Sequence, residues 1–264
     1  DSSKSDSSLQ NSYEDYNYNL VDAFKLSPRL SLKVFDICCD VYARTNPSNL
    51  PGGYLEIFKE YLILVNGNAD IIFFNKNSIV SNSLIQSPKE IETNLEDIIS
   101  NKNIFKQREE TPKFESVRGV VNINDFLYIS YIEEQNENCL NLEIVRAKLN
   151  TNKLIFSKFF QNEECLERSD EINVGQSGGK MVKVDDSYML LSTGVWKDYS
   201  KPQDENSIFG KILKINLNNS KFQIVSLGHR NPQGLSETRN SGVFIETEHG
   251  DLGGDEIAKN IYFI

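Results

Sequence analysis

The chain has 264 residues, of which 38 are acidic and 28 are basic, so its formal net charge at pH 7 is −10. The lysines and arginines are scattered along the sequence. This argues against a nucleic-acid-binding protein, because such proteins concentrate positive charge on one face. No apolar run approaches the length of a membrane-spanning helix, so the sequence predicts no membrane span.

The N-terminal residues 1–19 are rich in Ser, Asp, Asn and Tyr and contain almost no aliphatic side chains. Such a composition predicts a flexible polar arm, which leaves residues 20–264 for the folded domain. The sequence opens with Asp1 rather than Met. We therefore expect that a preceding segment, such as a secretory signal peptide, has been removed.

Short apolar runs separated by turn residues follow. They predict strands at 32–37, 54–58, 61–65, 71–74, 117–121, 126–131, 181–184, 188–192, 209–217, 222–227 and 243–247. The pair Asn66-Gly67 predicts a tight hairpin. One helix interrupts the strands near 88–100, with Ser87 as its cap and Pro88 at the first helical position. Its apolar side chains, which share one predicted face, are Ile91, Leu95, Ile98 and Ile99.

The spacing of these strands decides the fold class. Short strands at regular intervals indicate an all-β sandwich, barrel or propeller, because no strand alternates with an amphipathic helix. The strand pairs recur as meanders of about the size of one propeller blade, so a β-propeller fits best.

The four cysteines bear on the cellular compartment. Cys139 and Cys165 flank the predicted strands 142–148 and 154–160, and folding this hairpin brings them nearly opposite each other. We expect a disulfide, which implies an oxidising compartment; the alternative is two half-buried thiols. Cys38 and Cys39 are adjacent, and small apolar residues in a strand describe them better than zinc ligands do. Their pairing stays open.

Two stretches carry most of the chemistry. Residues 228–235 read Gly-His-Arg-Asn-Pro-Gln-Gly-Leu, and residues 246–256 read Glu-Thr-Glu-His-Gly-Asp-Leu-Gly-Gly-Asp-Glu. The apolar run 243–245 between them predicts loop, strand, loop, with both loops at one end of a sheet. Loops on a rigid β scaffold are usual places for binding groups. The alternative is a pair of tight turns whose polar side chains satisfy each other.

The order and spacing of these two stretches resemble the signature of the soluble quinoprotein glucose/sorbosone dehydrogenases, which are six-bladed β-propellers. Weaker similarity extends through residues 176–181 and 209–217. In that family the signature lies near the middle of the propeller, whereas this chain ends at Ile264. The resemblance therefore implies an incomplete six-bladed propeller, completed by residues outside this chain or by a further chain.

The resemblance also implies a site. A funnel at the propeller axis would hold pyrroloquinoline quinone on a calcium ion. Arg230, Asn231 and Gln233 would contact the cofactor, since a guanidinium suits a carboxylate-bearing quinone. The backbone carbonyls of Gly250 and Asp251 would bind calcium, which prefers oxygen ligands.

The sequence departs from the family at the catalytic base. The family uses a histidine there, whereas the corresponding position in this chain is Gly175 or Gln176. The position of the aspartate that orients this histidine is Val195, and Asp251 replaces a proline. No catalytic residue is therefore predicted. Because a positioned base contributes about a hundred- to ten-thousand-fold in rate, we expect sugar oxidation to be weak or absent.

Two hypotheses follow. The first is a quinoprotein sugar dehydrogenase-like propeller, periplasmic or extracellular, with impaired or lost aldose oxidation. The alternative is a non-catalytic propeller that binds carbohydrate or a protein partner, or a structural component of an extracellular assembly. Dye reduction with aldoses in the presence of quinone and calcium distinguishes them.

Overall fold

The computed structural model describes residues 18–37, 53–66, 69–77, 89–99, 117–135, 139–167, 169, 171–238, 241–250 and 254–261. Most of them form four consecutive antiparallel sheets, which we name blades A to D. A separate antiparallel hairpin precedes them and consists of β1 (Tyr18–Ser27) and β2 (Leu30–Ile37). Tyr18 and Asn19, the last residues of the predicted polar arm, therefore lie in a strand; residues 1–17 lie outside the described part.

Each blade is a meander in which sequence neighbours pair. Blade A contains β3 (Gly53–Phe58), β4 (Tyr61–Asn66), β5 (Ile71–Asn75) and β6 (Lys89–Glu90). Blade B contains β8 (Val117–Ile123), β9 (Phe126–Gln135), β10 (Cys139–Lys148) and β12 (Ser157–Phe160), and the short β13 (Leu166–Glu167) also pairs with β10. Blade C contains β14 (Gly178–Lys183), β15 (Tyr188–Thr193), β16 (Lys211–Asn216) and β17 (Phe222–Leu227). The described strands of blade D are β18 (Pro232–Glu237), β19 (Val243–Glu248) and β20 (Glu256–Ile261).

The first strand of each blade lies innermost. Strand β8 contacts both β3 and β14, and β14 contacts β18, so these four strands follow one another around an axis. A parallel pair, β7 (Glu92–Thr93) with β11 (Lys153–Leu154), links the outer parts of blades A and B. The all-β, propeller-type fold predicted from the sequence is confirmed.

The hydrophobic core lies between successive blades. Successive side chains of a strand point to opposite faces of its sheet, so one strand packs against both neighbouring blades. In β15, Met189 and Leu191 pack toward blade B, whereas Leu190 joins the cluster with Phe244 of blade D. This double burial explains why the sequence of β15 is a nearly continuous apolar run rather than an alternating one.

A disulfide joins Cys139 and Cys165, with 5.4 Å between their Cα atoms. It holds the start of β13 against the start of β10, where Leu140 pairs with Leu166. The disulfide predicted from the hairpin is therefore confirmed. Cys38 and Cys39 lie outside the described residues.

The predicted helix near 88–100 is much shorter in the structure. Among the described residues 89–99, only α1 (Leu95–Ile98) is helical, while Lys89–Glu90 and Glu92–Thr93 are strands. Ile91, Leu95 and Ile99 are nevertheless buried, as predicted. In the described part of the chain, no helix has the length and hydrophobicity that crossing a membrane requires.

Candidate functional site

Three connecting segments meet at one end of blades C and D. The backbone N–H of Val195, just after β15, donates to the carbonyl of Arg230 at 2.8 Å. The N–H of His249, just after β19, reaches the carbonyl of Asn231 at 3.3 Å. The two signature stretches and the segment that holds the orienter position are thus in direct contact, as the sequence predicted for the two loops.

The side chain of Arg230 spans the two signature stretches. Its Nη1 donates to the carbonyl oxygens of His249 and Gly250, each at 2.8 Å. Its backbone N–H donates to Oε2 of Glu248 at 2.7 Å, and the N–H of Asn231 reaches the same oxygen at 3.3 Å. Burial acts to raise the pKa of Glu248, but His229 and these two backbone donors outweigh it and lower that pKa.

The side chain of Asn231 faces inward. It is buried, and its Oδ1 accepts from the backbone N–H of Gly178 at 3.3 Å while its Nδ2 lies 3.4 Å from the carbonyl of Gly175. This amide therefore ties the start of β18 to the start of β14. The predicted cofactor contact of Asn231 would need the remaining N–H of this amide.

Gln233 lies beside the predicted base position. It is exposed, and its Nε2 lies 3.4 Å from the carbonyl of Gly175. Gly175 and Gln176 belong to a 3-10 turn, Val174–Gln176, capped by Asn173. Gln176 is buried, and its Oε1 accepts from the backbone N–H of Lys197 at 3.1 Å. Of the two candidates for the base position, Gly175 thus lies next to Gln233 and Asn231.

Gly194 permits this close approach. A Cβ atom at Gly194 would lie 1.9 Å from the carbonyl oxygen of Gln176, so only glycine fits between the 3-10 turn and the end of β15. Val195 next to it is fully buried. The residues on either side of Val195, Gly194 and Trp196, thus both contact the backbone of Gln176.

The predicted metal ligands are described only in part. Asp251 lies outside the described residues. The carbonyl of Gly250 and the carbonyl of His249 converge on one cationic nitrogen, Nη1 of Arg230. Two converging carbonyl oxygens are the kind of donor set that a hard cation requires.

A buried cluster of ionisable side chains lies behind Arg230. Nδ1 of His229 lies 3.3 Å from Oε1 of Glu246 and 3.8 Å from Oε1 of Glu248. Burial alone would lower the pKa of His229, but the two carboxylates raise it to about 9. The sequence prediction did not include this cluster. The two-residue spacing of the glutamates in a strand was the available signal, since it places them on one face.

Lys211 binds the backbone of the segment that contacts the start of the signature stretch. Its fully buried Nζ donates to the carbonyls of Lys201, Pro202 and Phe209 at 2.7–2.9 Å. The carbonyl of Pro202 also accepts from the N–H of Gly228, where the signature begins. Burial lowers the pKa of Lys211, although the nearby carboxylate of Asp204 opposes this.

The inner strands carry a second group of polar side chains. Nζ of Lys180 lies 4.6 Å from the ring centroid of Tyr54, and the Tyr54 hydroxyl donates to the carbonyl of Val117 at 3.2 Å. Burial raises the pKa of Tyr54 to about 12, although Arg118 acts to lower it. Burial also lowers the pKa of Lys180 and raises that of Glu56, and each charge partly offsets the shift of the other.

The radial sheets and the loops that meet at their inner end define a β-propeller with a polar site at its mouth. The family model for Glucose / Sorbosone dehydrogenase matches residues 117–261, which is more than half of the chain. The chain belongs to this family.

Several solved structures share this fold. A glucose dehydrogenase structure superposes with a TM-score of 0.57 at 18% identity, covering 80% of this chain and 61% of that one. The PQQ-bound aldose sugar dehydrogenase of Streptomyces coelicolor gives 0.57 at 18%, covering 79% and 60%. The soluble aldose sugar dehydrogenase of Escherichia coli in its apo-form gives 0.55 at 17%, covering 80% and 60%.

This chain therefore spans about three fifths of the length of these structures. Among curated protein sequences, none matches the chain significantly.

Proposed function

We propose that this propeller binds pyrroloquinoline quinone with calcium and that its oxidation of aldoses is impaired or lost. The observation that carries the proposal is the convergence at one mouth of the Arg230 guanidinium, two backbone carbonyls and the base position. The family assignment and the PQQ-bound relative support the choice of cofactor.

The donor set fits this cofactor. Arg230 offers a planar fork of donors to an anionic oxygen, and Gln233 adds an exposed amide next to it. The carbonyls of His249 and Gly250 already converge on a cationic nitrogen, so the same oxygens suit calcium once Arg230 turns to the cofactor. The quinone, when bound, supplies the acceptor for the hydride that leaves the sugar.

The missing proton acceptor is the reason for weak oxidation. Gly175 has no side chain, and the amide of Gln176 does not take up a proton near neutral pH. Its Oε1 is moreover held by the N–H of Lys197. A sugar hydroxyl at this mouth would lose its proton only to water or to a distant group, which removes the rate gain of a positioned base.

The disulfide supports the proposed location, and the related structures support the proposed ligand. A disulfide persists in oxidising compartments, which supports a periplasmic or extracellular protein. Aldose sugars are the substrate class of the two aldose sugar dehydrogenases, so a sugar is the proposed ligand.

The test titrates the full chain with the quinone, with and without calcium, by isothermal calorimetry, and then measures dye reduction with aldoses. We expect calcium-dependent quinone binding with little turnover. Arg230→Leu should abolish binding, whereas Arg230→Lys should only weaken it, because charge remains but the fork of donors is lost. No binding by the wild-type chain contradicts the proposal.

A restored base distinguishes an impaired dehydrogenase from a non-catalytic binding protein. The double variant Gln176→His with Val195→Asp supplies a base and its partner at adjacent positions. If the cofactor binds, we expect turnover to rise by about a hundredfold or more over wild type. Quinone binding without any such gain would favour the non-catalytic alternative, in which Asn231 and Gln176 serve only the packing of the loops.

A further inference from the structure

Three metal-ligating side chains come together behind the signature loop, and no part of the proposed quinone site uses them. Glu246 and Glu248 are two residues apart on β19 and so project from the same face. His229 reaches them from the connection between β17 and β18. The three ligand atoms lie within 4.8 Å of one another.

The ring of His229 is oriented as a metal-binding histidine is. Its Nε2 lies 2.8 Å from Oγ of Ser226. Because the pKa of His229 is raised to about 9, a metal ion must displace a proton from Nδ1. When Nε2 donates to Ser226, the lone pair of Nδ1 then points at the two glutamates. Histidines that bind metals usually donate their second ring N–H to such a partner, which fixes the tautomer and the ring plane.

Glu246 is a fully buried carboxylate, and neither of its oxygens accepts a hydrogen bond. Its nearest cationic partner is Nδ1 of His229 at 3.3 Å. A buried charge without hydrogen bonds is unfavourable unless it is paired or binds a metal. The Glu246 carboxylate therefore has unused acceptor capacity, and it faces His229, a second potential metal ligand.

The distances between the three side chains leave room for an ion. Charge-assisted N–H to oxygen hydrogen bonds are about 2.7–2.9 Å long. The two distances from Nδ1, 3.3 and 3.8 Å, are longer. Ligand atoms that each lie about 2.0–2.2 Å from a tetrahedral zinc ion are about 3.3–3.6 Å apart, which brackets the shorter distance and approaches the longer one.

We propose that His229, Glu246 and Glu248 bind a divalent first-row transition metal ion, for which zinc is the probe. The imidazole nitrogen selects such an ion over calcium, which prefers an all-oxygen shell. The ion joins the β17–β18 connection to β19. Because Oε2 of Glu248 holds the backbone of Arg230 and Asn231 while Oε1 faces the ion, the metal fixes the base of the quinone-binding loop.

The experiment uses the full chain, freed of metal with a chelator and kept in calcium buffer without quinone. Zinc binding is measured by calorimetry, and the bound metal is counted after gel filtration. We expect one zinc per chain. With cobalt in place of zinc, we expect the strong visible absorption of a four-coordinate site, and X-ray absorption should show one imidazole shell.

The decisive variant is Glu246→Gln, which keeps the shape and removes the charge. We expect it to weaken zinc binding by more than about 100-fold, beyond what loss of an outer partner does. Ser226→Ala should weaken binding by about 10- to 100-fold. His249→Asn is the matched control, since it removes the only other histidine, which is exposed and faces Asp255, and should leave zinc binding unchanged.

Several outcomes would overturn the proposal. They are absence of zinc binding by the wild-type chain, full binding by Glu246→Gln, loss of binding in His249→Asn, and an X-ray absorption shell without imidazole. The last measurement uses wild-type protein alone, so it decides the matter even if a variant fails to fold.

Discussion

At the scale of single residues, Lys180 of β14 and Glu56 of β3 are two half-buried charges on inner strands that lie on either side of β8. Burial lowers the pKa of the first and raises that of the second, and their mutual attraction only partly compensates. The ionised pair is therefore retained against a desolvation penalty. Lys180 also lies on the ring of Tyr54, which replaces part of its lost hydration.

The pair gives a prediction on pH. Lys180→Met removes the charge that holds down the pKa of Glu56, so this pKa rises further above its ordinary value. A carboxyl group whose pKa is raised by folding lowers stability above that pKa, and the effect disappears as the pH falls through the unfolded value. We expect Lys180→Met to be more destabilising at about pH 8 than at about pH 4, by about 0.5–1 kcal/mol.

Urea denaturation of both proteins at the two pH values measures this difference. Lys214→Met is the matched control, because Lys214 lies over the ring of Tyr188 in the same way. Its effect on the free energy of unfolding should be the same at both pH values. An equal pH dependence in the two variants would contradict the prediction.

The sequence identified some site residues and missed others for a physical reason. Arg230 and Gln233 were found because the signature names them, and both lie at the mouth. His229 and Glu246 were missed because the two-residue spacing of the glutamates indicates only a shared face, while their importance depends on mutual burial with His229. The inward direction of the Asn231 amide depends on Gly178, more than fifty residues earlier in the chain.

At the scale of elements, the segment before α1 shows how tertiary pairing overrides local signals. Proline and a capping glutamate predicted a helix. In the structure Lys89 and Glu90 instead pair with β5, and Glu92 and Thr93 pair with β11. The spacing of Ile91, Leu95 and Ile99 fits both outcomes, since these side chains are buried in either case.

Strand β18 was not predicted, because its local sequence disfavours a strand although one forms. Its sequence begins Pro-Gln-Gly, and Pro and Gly are depleted in strands. Gly234 packs closely against Thr247, because a Cβ atom would lie 2.1 Å from its Oγ1 and would force that side chain to move. The pairing with β19 also shifts register between Pro232 and Gly234, which accommodates the proline.

The disulfide gives the prediction at this scale. Cys139 and Cys165 close a loop with a sequence separation of 26. Loop-closure entropy for such a loop corresponds to about 3–4 kcal/mol of stability. The double variant Cys139→Ser with Cys165→Ser should lower the free energy of unfolding by about this amount. Guanidinium denaturation measures it, and reducing agent should produce the same loss in wild type but none in the variant.

At the scale of the whole molecule, the cores lie between blades rather than within one closed layer. Blade C is covered on both faces, whereas blade A has one face against blade B and exposes Leu55 and Ile57 from β3. The sequence allowed the all-β class and the blade-sized meanders to be predicted. The number and order of the blades were not readable from repeats, because the strands differ in length from two to ten residues.

The arrangement of the core predicts a contrast between two isoleucines on adjacent strands of blade A. Ile63 is fully buried in the cluster shared with blade B, while Ile57 is 56% exposed. We expect Ile63→Ala to destabilise the fold by about 2–5 kcal/mol. Ile57→Ala should change the free energy of unfolding by less than about 0.5 kcal/mol. Thermal and urea unfolding measure both, and similar effects would show that the inter-blade core is misplaced.

The ammonium of Lys211, surrounded by three carbonyls, affects how the loops at the propeller mouth depend on ions in solution. This cation is part of the polypeptide, so the segment that holds the N–H of Gly228 does not depend on dissolved metal ions for its shape. Carbamylation of that amine by cyanate would on the other hand remove its charge and force a bulkier neutral group into the same buried space.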